Sequence, residues 1–148
     1  MRVRHIVLAV VVLLAGVLVG CDFIAPVSID QRITDFQADL NKTTRTSAYL
    51  NFHPTLTKAY DALKDGSTIT TLFPLPDGTG SSYVLTVTDE SAPGTTGVLV
   101  TVTGGPTSYL GTHHLILVME TTAISDYRIV SLSTDDGAGH FLSTPQIE

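Results

Sequence analysis

The chain contains one cysteine, no tryptophan, and only eight basic residues against fourteen acidic ones. A single thiol excludes an internal disulfide and a zinc site built on several thiolates. A net charge of −6 argues against nucleic acid as a partner, because phosphates are recognised through clustered lysine and arginine. The 148 residues fit one domain with a short appendage, and 43% hydrophobic residues indicate a chain that folds.

The longest apolar run lies near the N-terminus. Residues 1–5 are short and basic, and residues 6–20 contain no charged or hydroxyl side chain. This pattern is typical of a secretory signal peptide, which has a basic start, an apolar centre and small residues before the cleavage site. A transmembrane helix needs roughly 20 apolar residues, and about fifteen residues at ~1.5 Å each span only ~22 Å. We therefore predict that residues 1–20 are a cleaved signal peptide.

The single cysteine stands at the end of this run, in Leu18-Val19-Gly20-Cys21. The segment resembles the lipobox of bacterial lipoproteins, in which leucine and two small or aliphatic residues precede the cysteine. The resemblance implies that a diacylglycerol group is attached to the Cys21 sulfur and that the chain is cleaved between Gly20 and Cys21. A thiolate suits this alkylation because it is a strong side-chain nucleophile. The alternative interpretation is a buried structural cysteine after an ordinary signal peptide.

Lipidation of Cys21 predicts a protein that is anchored to a membrane without crossing it. Each buried methylene contributes about 0.8 kcal/mol, and two or more acyl chains give a stable anchor. Removal of Arg2 and Arg4 with the signal peptide leaves six basic against fourteen acidic residues, a net charge of −8. Such a domain is expected to stand off an anionic bilayer. Asp22 resembles the inner-membrane retention signal of enteric bacteria, so we predict the cell envelope outside the cytoplasm, with the inner membrane favoured.

Two helices are predicted after a lipidated tether, residues 21–27. The segment from Ser28 to Gln31 has the form of a capping box, in which a hydroxyl and a glutamine side chain satisfy free backbone amides. One apolar face follows, at spacings of four, three and four residues: Ile29, Ile33, Phe36 and Leu40. This first helix is predicted to continue towards Leu50. A second helix begins after Pro54 and ends at Gly66.

Beyond residue 82 the apolar period changes to two, which predicts strands. Four are expected, over residues 83–88, 96–103, 109–122 and 126–134. Short connections with glycine and proline favour an antiparallel meander. The fold class is therefore α+β, with two to three N-terminal helices packed on a four-stranded antiparallel meander sheet. We expect this globular domain to cover residues 28–134 and to be followed by a loose tail, residues 135–148.

Helices followed by an antiparallel sheet over residues 28–134 resemble the nuclear transport factor 2-like fold. In that family helices pack across a curved sheet and close a cone. The family also has further strands around its helices, which this sequence does not show. The resemblance implies a cavity like that of isomerases and polyketide cyclases, which use an acid or a histidine inside the cone. A cystatin-like domain, in which a helix lies on a sheet, is similar to the same order of elements.

Histidine is the residue type in which chemistry is first sought, because it titrates near neutral pH. His113 and His114 are adjacent in a predicted strand, so they point to opposite faces and cannot chelate one metal. We predict no metal site and no cofactor. Glu120, Tyr49 and Tyr60 could line a cone cavity together with His113. No spacing among them indicates a catalytic set, so none is assigned.

The centre of the predicted sheet is apolar on both faces. Along one strand Leu115, Leu117 and Met119 share one face, and Ile116 and Val118 share the other. The helices can cover one face, and the second needs a partner subunit, a ligand, or the C-terminal tail.

We therefore favour a non-enzymatic module that binds a ligand or a protein, either a second copy or another envelope protein. The alternative is a cone-type enzyme, isomerase- or cyclase-like, with a pocket between helices and sheet.

Overall fold

The computed structural model describes residues 27–92, 97–109, 111–122, 126–136, 140–142 and 145–148. The predicted signal peptide, the lipidation site Cys21 and the tether up to residue 26 lie outside this part of the chain.

Within the described residues, no helix has the length and apolar character needed to cross a membrane.

Helical segments precede a four-stranded sheet. The helices are α1 (Ile29–Leu40), a 3-10 helix (Ala48–Asn51), α2 (Thr57–Lys64) and α3 (Ser67–Leu72). The strands are β1 (Ser81–Ala92), β2 (Gly97–Gly105), β3 (His113–Thr121) and β4 (Tyr127–Thr134). Every neighbouring pair is antiparallel, in the order β1-β2-β3-β4. The predicted α+β class, with helices before a four-stranded antiparallel meander, is confirmed.

Helix α1 begins where the sequence predicts and ends earlier. The Ser28 hydroxyl accepts a hydrogen bond from the Gln31 amide at 3.2 Å, while the Gln31 side chain bonds Asp35 rather than the cap. The predicted continuation towards Leu50 is wrong, because the helix stops at Leu40. The next residue, Asn41, is the C-cap of the helix, and its side chain bonds the backbone of Tyr83 in β1.

The strand limits also differ from the predicted ones. Strand β1 runs from Ser81 to Ala92, longer at both ends than residues 83–88, and contains three register shifts against β2. Strand β3 begins at His113 rather than at residue 109, because Gly111 takes a φ of +114°, outside the extended region. Register shifts of this kind bend an edge strand and increase its twist.

The core lies between α1 and the inner face of the sheet. Three phenylalanines fill its centre, with the Phe36 ring edge-on to Phe52 at 5.7 Å and to Phe73 at 6.0 Å. Aliphatic side chains from all four strands complete the same cluster. Because these rings and aliphatic side chains pack closely, the inner face of the sheet is in direct contact with the helices.

A bulge in β4 sets which of its residues face the core. Val118 pairs with Ser131, but the next residue, Met119, pairs with Ile129. The extra residue turns both Ile129 and Leu132 inward, although strict alternation would separate them.

Hydrogen bonds occupy part of each outer edge of the sheet. The free edge of β1 receives side-chain amides from α1: Tyr83 N donates to Asn41 at 2.7 Å and Leu85 N donates to Gln37 at 2.7 Å. On β4, the Ile129 carbonyl accepts from His53 N at 2.8 Å, and Leu132 N donates to Ile147 O at 2.9 Å. The occupied parts of these edges are less available for pairing with strands of other chains.

The described part of the C-terminal tail takes part in this closure. Ile147 is 2% exposed and joins the core cluster, whereas Phe141 and Leu142 remain exposed. The described part of the tail therefore lies along the edge of β4. Phe141 and Leu142 are too exposed to be buried against the second face of the sheet.

A buried polar network joins α1 to β4 and to the 3-10 helix. The Arg32 guanidinium donates to Asp126 at 2.5 Å and to the Tyr127 carbonyl at 2.8 Å. Asn51 donates to Asp39 at 2.7 Å. Burial alone would raise the pKa of Asp39, but hydrogen bonds from Lys42, Ser47 and Asn51 outweigh it and lower that pKa.

The lowered pKa of Asp39 predicts stability that is lost in acid. Because the folded pKa lies below the unfolded value of about 4, the contribution is complete above pH ~4 and disappears as pH falls through the folded pKa. We expect Asp39→Asn to lower the free energy of unfolding by about 2 kcal/mol at pH 7. Urea unfolding at pH 7 and pH 3 measures this, and the gap from wild type should narrow in acid.

A matched control is Asp61→Asn, which removes an exposed carboxylate paired with Lys64. This change is expected to cost less than about 0.5 kcal/mol. A gap for Asp39→Asn that stays constant between the two pH values would contradict the assignment.

Candidate functional site

The residues considered from sequence do not form one cavity. His113 and Glu120 stand at opposite ends of β3, about 23 Å apart at ~3.3 Å per residue. Tyr49 is half-buried and packs against the core. The side chain of Tyr60 lies outside the described residues. The cone-lining set is therefore not brought together by the fold.

The two adjacent histidines meet at a shared carboxylate. Nδ1 of His114 lies 2.9 Å from one oxygen of Asp135, and Nδ1 of His113 lies 3.4 Å from the other. The same carboxylate accepts from the His114 backbone amide at 3.0 Å. The side chain of Asp135 is completely buried. The histidines begin on opposite faces, as predicted, and Asp135 at the end of β4 reaches both.

Asp135 was not identified by sequence reasoning, which placed it in the loose tail. Its role depends on the register of β4 with β3, a contact between residues far apart in sequence. The Asp135 amide donates to the His114 carbonyl at 3.2 Å, which extends the strand pairing by one residue. The only signal in the sequence was an acid directly after a strand.

Aromatic side chains enclose the inward half of this cluster. The Tyr109 ring stacks on the His113 ring with centroids 4.1 Å apart, and Tyr83 packs edge-on to Tyr109 at 5.4 Å. Burial raises the pKa of the Tyr109 hydroxyl, and the nearby Tyr83 and Asp135 raise it further. Tyr109 therefore stays protonated at neutral pH.

The geometry fixes what the histidines can do. Nδ1 of each ring faces the shared carboxylate of Asp135, which can only accept a hydrogen bond when it is ionised. A neutral ring in this position therefore carries its proton on Nδ1 and its lone pair on Nε2. In the part of the chain that the structure describes, no serine, threonine or cysteine side chain bonds either ring, and no group of three ligands could hold a metal. The cluster positions hydrogen-bonding groups at one end of the sheet.

Arg45 is a second polar residue that sequence reasoning missed. Its guanidinium is 2% exposed and donates to the carbonyls of Leu40, Phe73 and Pro74. It also lies 5.7 Å from the centre of the Tyr83 ring. Among the described residues no carboxylate forms an ion pair with it. Arg45 satisfies the carbonyls at the C-terminal ends of α1 and α3, which makes it a structural residue.

Among the described residues, surface pockets lie where β1 begins and β2 ends, and beside α1. Pockets of about 190 and 160 Å³ share Gly80, Ser81 and Pro106, where β1 begins and β2 ends. A third, of about 300 Å³, lies beside α1 and the 3-10 helix. None of these three is lined by the aliphatic residues of the inner sheet face.

The second face of the sheet, here named the outer face, is uncovered by the described elements. Its centre consists of small or aliphatic side chains that alternate with the core residues and are each half-buried: Leu99, Thr101, Ile116, Val118, Ser131 and Ser133. Charged residues border this centre, where Asp89 pairs with Leu99 and Glu120 pairs with Arg128. Val84 of β1, 47% exposed, stands at its margin. None of these belongs to the core or to the described hydrophobic residues that pack against it.

No protein-family model, curated protein or solved structure matches this chain.

The outer face carries no charged side chain at its centre, although the chain has fourteen acidic residues. An uncharged centre is one property that this face shares with the core of a protein interface, where charged residues are depleted. The fold thus offers two features for recognition, the outer face and the histidine–aspartate cluster at one of its ends.

Proposed function

We propose that this chain is a lipid-anchored protein of the bacterial cell envelope, with a non-enzymatic binding domain that acts through the outer face. The observation that carries the binding role is the contrast between the two sides of the sheet. The inner face is filled by phenylalanine and aliphatic side chains, and none of the described helices covers the outer face.

The filled core supports a binding module over the cone-type enzyme. An isomerase or cyclase of that type needs an enclosed cavity between helices and sheet, with convergent polar groups. Here that space is occupied by Phe36, Phe52 and Phe73. The arrangement also supports the resemblance to a cystatin-like helix on a sheet more than the resemblance to a nuclear transport factor 2-like cone.

The lipobox supports the anchor, and the fold gives it an orientation. The Val27 carbonyl accepts a hydrogen bond from Tyr127 N at 3.1 Å, so the chain enters the domain at the start of β4. Five residues separate Cys21 from Val27, and the six Cα-to-Cα steps between them, at ~3.5 Å each, reach at most about 21 Å. The start of β4 would then face the membrane. Asp135, about 25 Å away along β4, would point away from it.

Replacement of Cys21 by serine is expected to abolish the anchor. The hydroxyl is too weak a nucleophile for the alkylation, so the variant should incorporate no labelled palmitate, and it should accumulate as the uncleaved precursor. Expression of the full chain in a bacterial host, with membrane fractionation and mass spectrometry of the mature N-terminus, measures this. Fractionation of inner from outer membrane also tests the expectation from Asp22.

The matched control is Gly20→Ala, which keeps a small residue before the cysteine and should be processed like wild type. Equal palmitate incorporation by wild type and Cys21→Ser would overturn the proposal. Native mass spectrometry of the detergent-extracted protein adds a second test, because a retained small molecule would identify the bound species directly.

A further inference from the structure

We infer that the end of the sheet where β1 begins and β2 ends holds a further binding site, and that its ligand is a neutral saccharide. This site is separate from the outer face, so the inference goes beyond the proposed function. Two adjoining pockets, here together named the end pocket, form the site and share Gly80, Ser81 and Pro106. Their volumes of about 190 and 160 Å³ together reach the lower end of the roughly 300–1,000 Å³ of small-molecule sites.

The end pocket offers polar groups whose hydrogen-bonding capacity is unused. The hydroxyls of Ser81, Ser82 and Tyr109 line it and form no hydrogen bond with any other residue that the structure describes. Asp77 uses one carboxylate oxygen, Oδ1, to accept from the amide and the hydroxyl of Thr79. Its second oxygen, Oδ2, has no partner among the described residues. Both donors and acceptors are therefore available to a ligand at this place.

The pocket beside α1 lacks this spare capacity. Its buried polar side chains bond one another, with Asn51 donating to Asp39 at 2.7 Å and Arg32 donating to Asn51 at 3.3 Å. Lys42 and Ser47 also bond the Asp39 carboxylate. Groups that already have partners gain little from a ligand, because the new bond only replaces an existing one. We therefore place the site at the end pocket.

The charge of the end pocket selects against anionic ligands. No lysine, arginine or histidine is among the described residues that line it, and Asp77 is their only charged group. The hydrogen bonds from the Thr79 hydroxyl and amide lower the pKa of Asp77, so its carboxylate is ionised at neutral pH. A phosphate or carboxylate ligand needs cationic partners and would be repelled here.

A sugar ring matches this lining with both of its chemical halves. Its hydroxyls can donate to a carboxylate and can donate to or accept from serine and tyrosine hydroxyls. Its C–H faces are apolar and pack on flat rings, which Pro76, Pro106 and Tyr109 contribute. An acyl chain would instead leave the hydroxyls and the carboxylate without partners.

Direct contact between two loops gives the end pocket a fixed shape. The hydroxyls of Thr79 and Thr107 bond one another at 2.9 Å. A Cβ on Gly80 would lie 2.0 Å from the Gly105 carbonyl oxygen, so the two backbones touch. A site that is already formed loses less conformational entropy when a ligand binds.

The histidine–aspartate cluster fixes the Tyr109 ring from behind. His113 stacks on this ring with centroids 4.1 Å apart, and Nδ1 of His113 lies 3.4 Å from the buried Asp135 carboxylate. The Tyr109 hydroxyl is not one of the buried, unpaired atoms of the described residues, so it remains accessible. A fixed ring with an accessible hydroxyl is suited to contact a sugar from one direction.

The end pocket lies at the end of the sheet opposite the tether. The strand register places the start of β1 beside the end of β2, and this end also contains the start of β3 and the end of β4. Under the proposed anchoring it faces away from the membrane, towards the space that contains cell-wall glycans. These glycans and free saccharides are the two sources that the test distinguishes.

Titration with neutral disaccharides tests the site in the full chain, extracted from membranes with a detergent that has no sugar headgroup. The probes are cellobiose, maltose and N,N′-diacetylchitobiose, followed by calorimetry and saturation-transfer NMR. We expect at least one of them to bind with a Kd of about 1 mM or tighter. If none binds at about 10 mM, the inference is overturned.

Two variants locate the bound sugar. Tyr109→Phe removes only the hydroxyl and should weaken binding about three- to tenfold, the effect of one lost hydrogen bond. Asp77→Ala removes the exposed acceptor and should weaken binding to a similar extent. The matched controls are Tyr127→Phe, at the opposite end of the sheet, and Asp61→Ala, an exposed acid on α2. Both controls should bind like wild type, and circular dichroism should show the same fold in all four variants.

Equal binding by wild type and by folded Tyr109→Phe and Asp77→Ala would overturn the end pocket as the site. Equal losses in the two control variants would do the same. These measurements do not depend on the lipid, so their failure is distinct from a failure of the proposed anchor.

Co-sedimentation with purified cell-wall sacculi identifies the source of the saccharide. Retention that a disaccharide competes away, and that Asp77→Ala weakens, supports a wall glycan as the ligand. Binding of a free disaccharide without retention on sacculi supports a soluble saccharide at the same site. Retention that no disaccharide reduces would overturn the inference, because the peptide part of the wall would then be the bound component.

Discussion

Replacing Arg45 with methionine is expected to lower the free energy of unfolding by about 3–5 kcal/mol. The guanidinium is buried and is hydrogen-bonded to the carbonyls of Leu40, Phe73 and Pro74. These groups lie where α1 and α3 end, so their carbonyls have no partner within the helices. Methionine keeps the apolar stem but leaves the carbonyls buried and unpaired, each at a cost of about 1–3 kcal/mol.

Urea unfolding at pH 7 measures the effect of Arg45→Met. The free energy of unfolding of Arg45→Lys should lie between those of the wild type and Arg45→Met. A single ammonium group cannot bond carbonyls from two helices as the planar guanidinium does. Lys64→Met removes an exposed cation paired with Asp61 and is expected to change stability by less than about 0.5 kcal/mol. A loss of under about 1 kcal/mol for Arg45→Met would contradict the assigned role.

Gly105→Ala is expected to destabilise the fold by about 3 kcal/mol, from two separable causes. The backbone at Gly105 has a φ of +90°, which a side chain disfavours. A Cβ there would also lie 2.5 Å from the Tyr83 ring. The Tyr83 ring cannot easily move, because its hydroxyl donates to the Pro74 carbonyl at 2.7 Å and it packs edge-to-face with Phe73 and Tyr109.

Gly78→Ala isolates the first of these causes. Gly78 has a comparable φ of +78°, but a Cβ there would meet nothing within 4 Å. Its expected cost is therefore only the conformational one, about 1 kcal/mol. Thermal or urea unfolding of both variants gives the difference, and near-ultraviolet circular dichroism reports displacement of Tyr83. Equal losses in the two variants would show that the close approach to Tyr83 carries no cost.

Local signals in the sequence were sufficient for the order and type of the elements. The hydroxyl of Ser28 caps α1 as predicted, and Gly66 follows α2 in the left-handed conformation, with a φ of +77°. Alternation in β3 correctly placed Leu115 and Leu117 on one shared face, which the structure shows to be the core side. These features depend on residues within a few positions of one another, which is the range over which propensity and periodicity act.

Features that depend on distant residues were not predictable in the same way. Helix α1 ends at Leu40 because Asn41 pairs with Tyr83, a partner in another element. The histidine–aspartate cluster requires the register that brings Asp135 to His114, and the position of Arg45 requires two helix ends to meet. Each depends on tertiary packing, which overrides local preference and leaves no pattern in the sequence near the residue concerned.

The closure of β4 has a consequence for folding kinetics. This one strand is bonded to Val27, to His53 and to Ile147, three segments from widely separated parts of the chain. Contacts of such long sequence separation raise the relative contact order, because large loops must close before the contacts can form. We therefore expect folding to be slow and to need the C-terminal segment. A late, whole-chain folding step would suit the export through a membrane that we propose for this chain.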